Sequence, residues 1–132
     1  MTALINERAA FAAEWWTSHL AAPPAMDNGT NQNALLTFAA RLQSPLTPDQ
    51  ISDFQYALYQ IIAQHLDHPR NHLFLDVDYQ ADMLLEEAAA AAGISLAYRL
   101  PVKTSMQITE ASIMSAQGYR AELVTLWKRS EQ

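Results

Sequence analysis

Thr47-Pro48-Asp49-Gln50-Ile51-Ser52-Asp53-Phe54, running on to Leu66, and then His72-Leu73-Phe74-Leu75-Asp76-Val77-Asp78 form one stretch in which the apolar period changes from helical to two. The first part carries its own start signal. Thr47 is an N-cap residue, Pro48 suits the first helical position, Asp49 is an early acid, and Gln50 completes a capping box. Ile51, Phe54, Leu58, Ile61, Ile62 and Leu66 then recur at helical spacing. Leu46, just before the cap, is placed to pack on Ile51 as a hydrophobic staple. In the second part, Leu73, Leu75 and Val77 share one face of a short strand. Asp78 is placed to cap a further helix running through Ala92, with Gly93 closing it in a left-handed conformation. A strand followed by a helix makes one βα unit.

On the N-terminal side, Leu4, Phe11 and Trp15 lie near one line of a helix from about 4 to 20, with Ile5, Ala12, Trp16 and Leu20 beside them. Pro23, Pro24 and Asn28-Gly29 break it, and a helix over 32–43 is expected next, with Leu35, Leu36, Ala39 and Leu42 on its apolar side. On the C-terminal side, Val102, Thr104, Met106 and Ile108 alternate with polar residues. Ser112–Ala116 is a second run, Gln117-Gly118 suits a hairpin turn, and Tyr119–Trp127 makes a last strand. The expected fold is α+β: N-terminal helices packed on a small, mostly antiparallel sheet that contains one βα unit and a C-terminal meander. It forms a single domain over 1–132.

Composition limits what this domain does. Of 132 residues, 50% are apolar, enough for a sizeable core and too many for a disordered tail. There is no cysteine, so disulfides, thiolate zinc sites and a cysteine nucleophile are excluded. Eight Lys plus Arg stand against fourteen Asp plus Glu, a net charge of −6, and the cations are scattered. Phosphate neutralisation depends on clustered Lys and Arg, so neither nucleic acid nor an anionic membrane is an expected direct partner. No apolar run is long enough to span a bilayer. The N-terminal residues lack a cationic region followed by an apolar stretch, so a cytoplasmic setting is expected.

Chemistry concentrates in Asp76, Asp78, Asp82, Glu86 and Glu87, with no cation between Arg70 and Arg99. Asp76 and Asp78 share a strand face by period two, and Asp82 and Glu86 share a helix face. Two strand-end carboxylates beside Asp82 or His72 are a donor set for Mg²⁺, and hence for a metal-dependent phosphoesterase. The same acids equally suit the solvent face of an edge strand, a helix cap and a solvated helix. His65, His68 and His72, with Asp67, are imidazole and carboxylate donors of the kind zinc takes, but they also suit a helix C-terminus, where a cationic imidazole meets the dipole. His19 flanks the first helix. Gly-x-Ser-x-Gly, phosphate-loop and dinucleotide motifs are missing, and no cofactor is implied. Tyr56 and Tyr59 sit on the flanks of the apolar stripe between 48 and 66, where aromatics either widen the buried face or anchor a protein interface.

Asn6-Glu7-Arg8-Ala9-Ala10-Phe11, followed by Trp15-Trp16, resembles an Asn-Glu-Arg-Ala-Ala-Phe-Glu-x-Trp segment of small accessory proteins in lambdoid prophages of enteric bacteria. Ala12-Ala13-Glu14 stands where those proteins place Glu before the aromatic. The resemblance implies a genomic setting and no catalytic residues. The function expected is therefore a non-catalytic, phage-derived binding or regulatory module that contacts a protein partner of host or phage. Its acidic surface is Asp76, Asp78, Asp82, Glu86 and Glu87, with Tyr56 and Tyr59 as further contacts. A narrower version is an anti-defence protein whose carboxylates imitate a phosphate backbone. The alternatives are the metal-dependent phosphoesterase and a homo-oligomeric structural protein joined through its aromatic helices.

Overall fold

The computed structural model describes residues 3–21, 46–67, 72–77, 81–96, 100, 103–118 and 122–129. The helix expected over 32–43 lies outside the described residues, as do Asp78 and His68. Among the described residues, three helices and four strands follow in the order α1 (Ala3–Ala21), α2 (Pro48–Leu66), β1 (Leu73–Val77), α3 (Met83–Ala91), β2 (Thr104–Ile108), β3 (Ser112–Gln117) and β4 (Val124–Lys128). The strands lie side by side in sequence order, every neighbouring pair antiparallel. The chain is an α+β domain with a C-terminal meander.

Local chemistry sets α2. Gln50 N–H donates to the Thr47 hydroxyl at 3.1 Å and the Thr47 N–H to Gln50 Oε1 at 3.0 Å, a reciprocal capping box. Phe54, Leu58, Ile62, Ala63 and Leu66 are buried along it. Gln50 Nε2 also reaches the Gly93 carbonyl at 3.1 Å, so the start of α2 meets the end of α3 and the two helices run in opposite directions. Gly93 closes α3 at φ +70°, the left-handed conformation a helix-ending glycine supplies at least cost.

The start of α3 differs from expectation. Its N-cap is Asp82, whose Oδ1 accepts from the Leu84 N–H at 3.0 Å, rather than Asp78. The reason is tertiary: Ala81 bridges back to Val77, and the Asp82 N–H donates to the Asp76 carbonyl at 2.9 Å. The backbone at 81–82 is thereby held extended against β1, and the helix begins only after it. The strand still leads into a helix, giving the βα unit.

Alternation along the strands sorts the sheet into two faces. Leu75, Val77, Thr104, Met106, Ile108, Ile113 and Ser115 are buried on the inner face. Phe74, Gln107, Met114 and Thr125 lie opposite one another across the outer face, with Asp76, Ser105 and Ala116 in the next row. The register shifts between Ile113 and Met114, leaving Leu126 as an extra residue in β4. This bulge brings both Leu126 and Trp127 against the core.

Helix α1 covers the inner face along β3. Arg8 Nη1 donates to the Thr109 carbonyl at 2.6 Å at one end, and His19 Nε2 lies 3.1 Å from Gln117 Nε2 at the other. Eleven helical residues rise about 16 Å and a six-residue strand spans about 17 Å, so the helix and β3 run in the same direction. Ile5, Ala9, Ala12, Ala13, Trp16 and Leu20 form the buried stripe of α1. The alanines let it sit close to α2, and Trp16 fills the space beside them. Arg8 is fully buried, its Nε donating to the Leu4 carbonyl at 3.3 Å. Burial pulls its guanidinium below the ordinary arginine value; Glu110 opposes the shift and Arg129 adds to it. Among the described residues, no helix is long and apolar enough to cross a membrane.

Candidate functional site

Of the acidic group of the sequence, Asp76 and Asp82 meet at the free edge of β1, Glu86 and Glu87 follow on α3, and Asp78 lies outside the described residues. Period two puts Asp76 on the outer face of β1, exposed, in the same outward parity as Phe74. The backbone bond from Asp82 to Asp76 then sets the first turn of α3 beside that edge. Helix α3 buries Leu85, Ala88 and Ala89 against α2, which turns Glu86 and Glu87 to solvent. Asp82 differs from the others because its carboxylate is engaged by the Leu84 N–H. Among the described residues, the side chains of Asp76, Glu86 and Glu87 hold no hydrogen bond or salt bridge.

Two apolar side chains at this edge were not singled out by composition or motif. Phe74 is 57% exposed and Met83, the first residue of α3, is 80% exposed. Parity carried the signal for Phe74, since it faces the same way as Asp76. Nothing local marked Met83, because its position follows from where the helix starts.

The two tyrosines separate. Tyr59 is half-buried and packs on the core, widening the buried side of α2. Tyr56 is 62% exposed on the solvent side, where Gln60 Nε2 donates to its hydroxyl at 3.1 Å. The tryptophans are mainly structural. Trp16 is fully buried, while Trp15 and Trp127 are half-buried against the core. Trp15 meets Trp16 edge-on at 5.0 Å and stacks on His19 at 3.9 Å. Trp127 Nε1 donates to Glu7 Oε1 at 3.4 Å.

His65 sits in the last turn of α2, where its imidazole is near the negative end of the helix dipole, and His72 is exposed ahead of β1. Among the described residues, no three His, Asp or Glu side chains come together in a way that could hold a metal ion. Asp82, offered as a third ligand to Asp76 and Asp78, is committed to its helix.

Compared with known protein-family models and with curated proteins, the chain matches none.

Proposed function

We propose that the chain is a non-catalytic, phage-derived protein-binding module that recognises its partner through exposed carboxylates at the β1–α3 edge. The observation that carries this reading is that Asp76, Glu86 and Glu87 are exposed and hold no partner among the described residues. Exposed carboxylates without a hydrogen-bonding or ionic partner act on an approaching molecule at a distance. Complementary charge accelerates encounter with a cationic partner and makes the association sensitive to salt. In its narrower form, the carboxylates stand in for phosphates and occupy a nucleic-acid site on that partner.

The phage setting rests on the Asn6–Phe11 segment. In the fold that segment has a packing role: Glu7 accepts from Trp127, and Arg8 holds the β2–β3 turn.

The test is affinity capture from a host lysate with the native chain and with a D76N/E86Q/E87Q variant, across a salt series. A protein held by the native chain, released by added salt and lost with the variant is expected. Capture that is unchanged by neutralising the three acids excludes this surface.

A further inference from the structure

The two edges of the sheet are finished differently. At β1 the chain returns along its own edge, where Ala81 bridges Val77 and the Asp82 N–H donates to the Asp76 carbonyl. At β4 no strand among the described residues pairs with the outer edge, which leaves backbone donors and acceptors open. Burial of the inner face also fails at β4. Met106, Ile108, Ile113 and Ser115 on β2 and β3 are buried. Val124 pairs with Ser115 and has the same inward parity, yet it is 59% exposed, and Leu126 and Trp127 are only half-buried. The apolar inner layer therefore continues to a margin left open to solvent. Unlike charges stand at its two ends. Glu122 and Lys128 are exposed, each three residues from Thr125, and neither has a partner among the described residues. Arg129, one residue further on, faces Glu110 at 3.6 Å.

We propose that this edge pairs with the same edge of a second copy of the chain, β4 antiparallel to β4 about a two-fold axis near Thr125. The charges select that arrangement. Antiparallel self-pairing sets Glu122 of each copy beside Lys128 of the other, at both ends of the contact, whereas parallel pairing opposes Glu to Glu and Lys to Lys. The same operation sets Val124 of one copy against Leu126 and Trp127 of the other, which covers the open apolar margin. A two-fold contact is closed, and the β1 edges left at the ends of the joined sheet are the ones the chain itself returns along, so association stops at the dimer. The bulge at Leu126 interrupts the ladder, and β4 has only five residues, so the contact is short beside a standard interface. A weak dimer follows, with a Kd on the order of 10 µM.

Sedimentation velocity of the full native chain, over about a hundredfold range of concentration around that value, reads the association. A monomer that becomes a dimer, and nothing larger, is expected. V124K puts a charge on the apolar margin, and E122K opposes like charges at both ends; each is expected to weaken the dimer at least about tenfold. Both positions are exposed, and circular dichroism verifies that each variant keeps its fold. E122K/K128E restores the unlike pairing and is expected to return to within about threefold of native. Mixed with the native chain it forms no mixed dimer, because that combination pairs Glu with Glu and Lys with Lys. A chain that stays monomeric throughout overturns the proposal, as does one that grows beyond a dimer. A dimer that V124K and E122K leave as tight as native, or that E122K/K128E fails to restore, overturns it equally. D76N/E86Q/E87Q is expected to dimerise as the native chain does, so this edge and the acidic surface are tested apart.

Discussion

Arg8 and Thr109 are joined by a 2.6 Å hydrogen bond from the guanidinium to the backbone carbonyl, across 101 positions of sequence. The same carbonyl belongs to the turn that links β2 to β3, where Thr109 Oγ1 accepts from the Ser112 N–H at 3.1 Å and the Thr109 N–H donates to the Ser112 carbonyl at 2.8 Å. One buried cation thus fastens α1 to the hairpin it covers. Arg8→Met keeps much of the side chain's apolar bulk but leaves the carbonyl without its charged donor. It is expected to lower unfolding free energy by about 2 kcal/mol in urea titrations. Arg8→Lys recovers less than half, because an ammonium cannot reproduce the fork that serves both Leu4 and Thr109. Equal stability of R8M and the native chain removes this role.

How much of this was legible in the sequence follows from the range of each determinant. The limits of α2 were readable because its capping box joins residues three apart. The inward residues of β1 and β2 were readable because alternation is local. The start of α3 was not: Asp78 and Asp82 are both good caps by type, and the choice between them came from Ala81 pairing with Val77. Strand β4 occupies Val124–Lys128, with an extra residue at Leu126, because its register is set by β3 and not by its own pattern. Arg8 gave no sign of being buried, since its acceptor lies in a turn formed far along the chain. At the candidate site, the outward placement of Asp76 followed from parity. The engagement of Asp82 and the exposure of Met83 depended on the same unforeseen helix start.

Gly93 ends α3 at φ +70°, and no atom of the described residues lies within 4 Å of where a Cβ would be placed. Any penalty for Gly93→Ala is therefore conformational and not steric. A loss of about 1 kcal/mol is expected, read as a lowered thermal midpoint. Gly93→Asn costs less, since Asn tolerates the left-handed region. Indistinguishable Ala and Gly variants exclude the left-handed cap.

Trp16 is fully buried, yet its Nε1 has no hydrogen-bond partner among the described residues. An unmet buried donor carries a desolvation cost of about 1–3 kcal/mol, which the native side chain recovers through packing. Trp16→Phe removes the donor along with part of the ring, so the two changes offset. Its stability is expected within about 1 kcal/mol of the native chain, whereas Trp16→Ala loses about 3–5 kcal/mol. The comparison is made by denaturant titration of both variants, monitored by circular dichroism so that loss of the indole does not alter the signal. A Phe variant as damaged as the Ala variant points to a hydrogen bond from Nε1.

The acids at the β1–α3 edge divide by what they do for the fold, and this division separates recognition from stability. Asp82 accepts from the Leu84 N–H at the start of α3, so Asp82→Ala is expected to cost about 1 kcal/mol as a lost cap. Among the described residues Asp76, Glu86 and Glu87 hold no such bond, and D76N/E86Q/E87Q should lower unfolding free energy by no more than about 1 kcal/mol, most of it from Glu86 in the first turn of α3. Relief of like charge between Asp82 and Glu86, four residues apart, acts in the opposite, stabilising direction. A triple variant that is folded, equally stable and deficient in partner capture places the cost of those carboxylates in recognition. A triple variant that unfolds at markedly lower urea instead makes them part of the scaffold, and any accompanying loss of capture then says nothing about a surface.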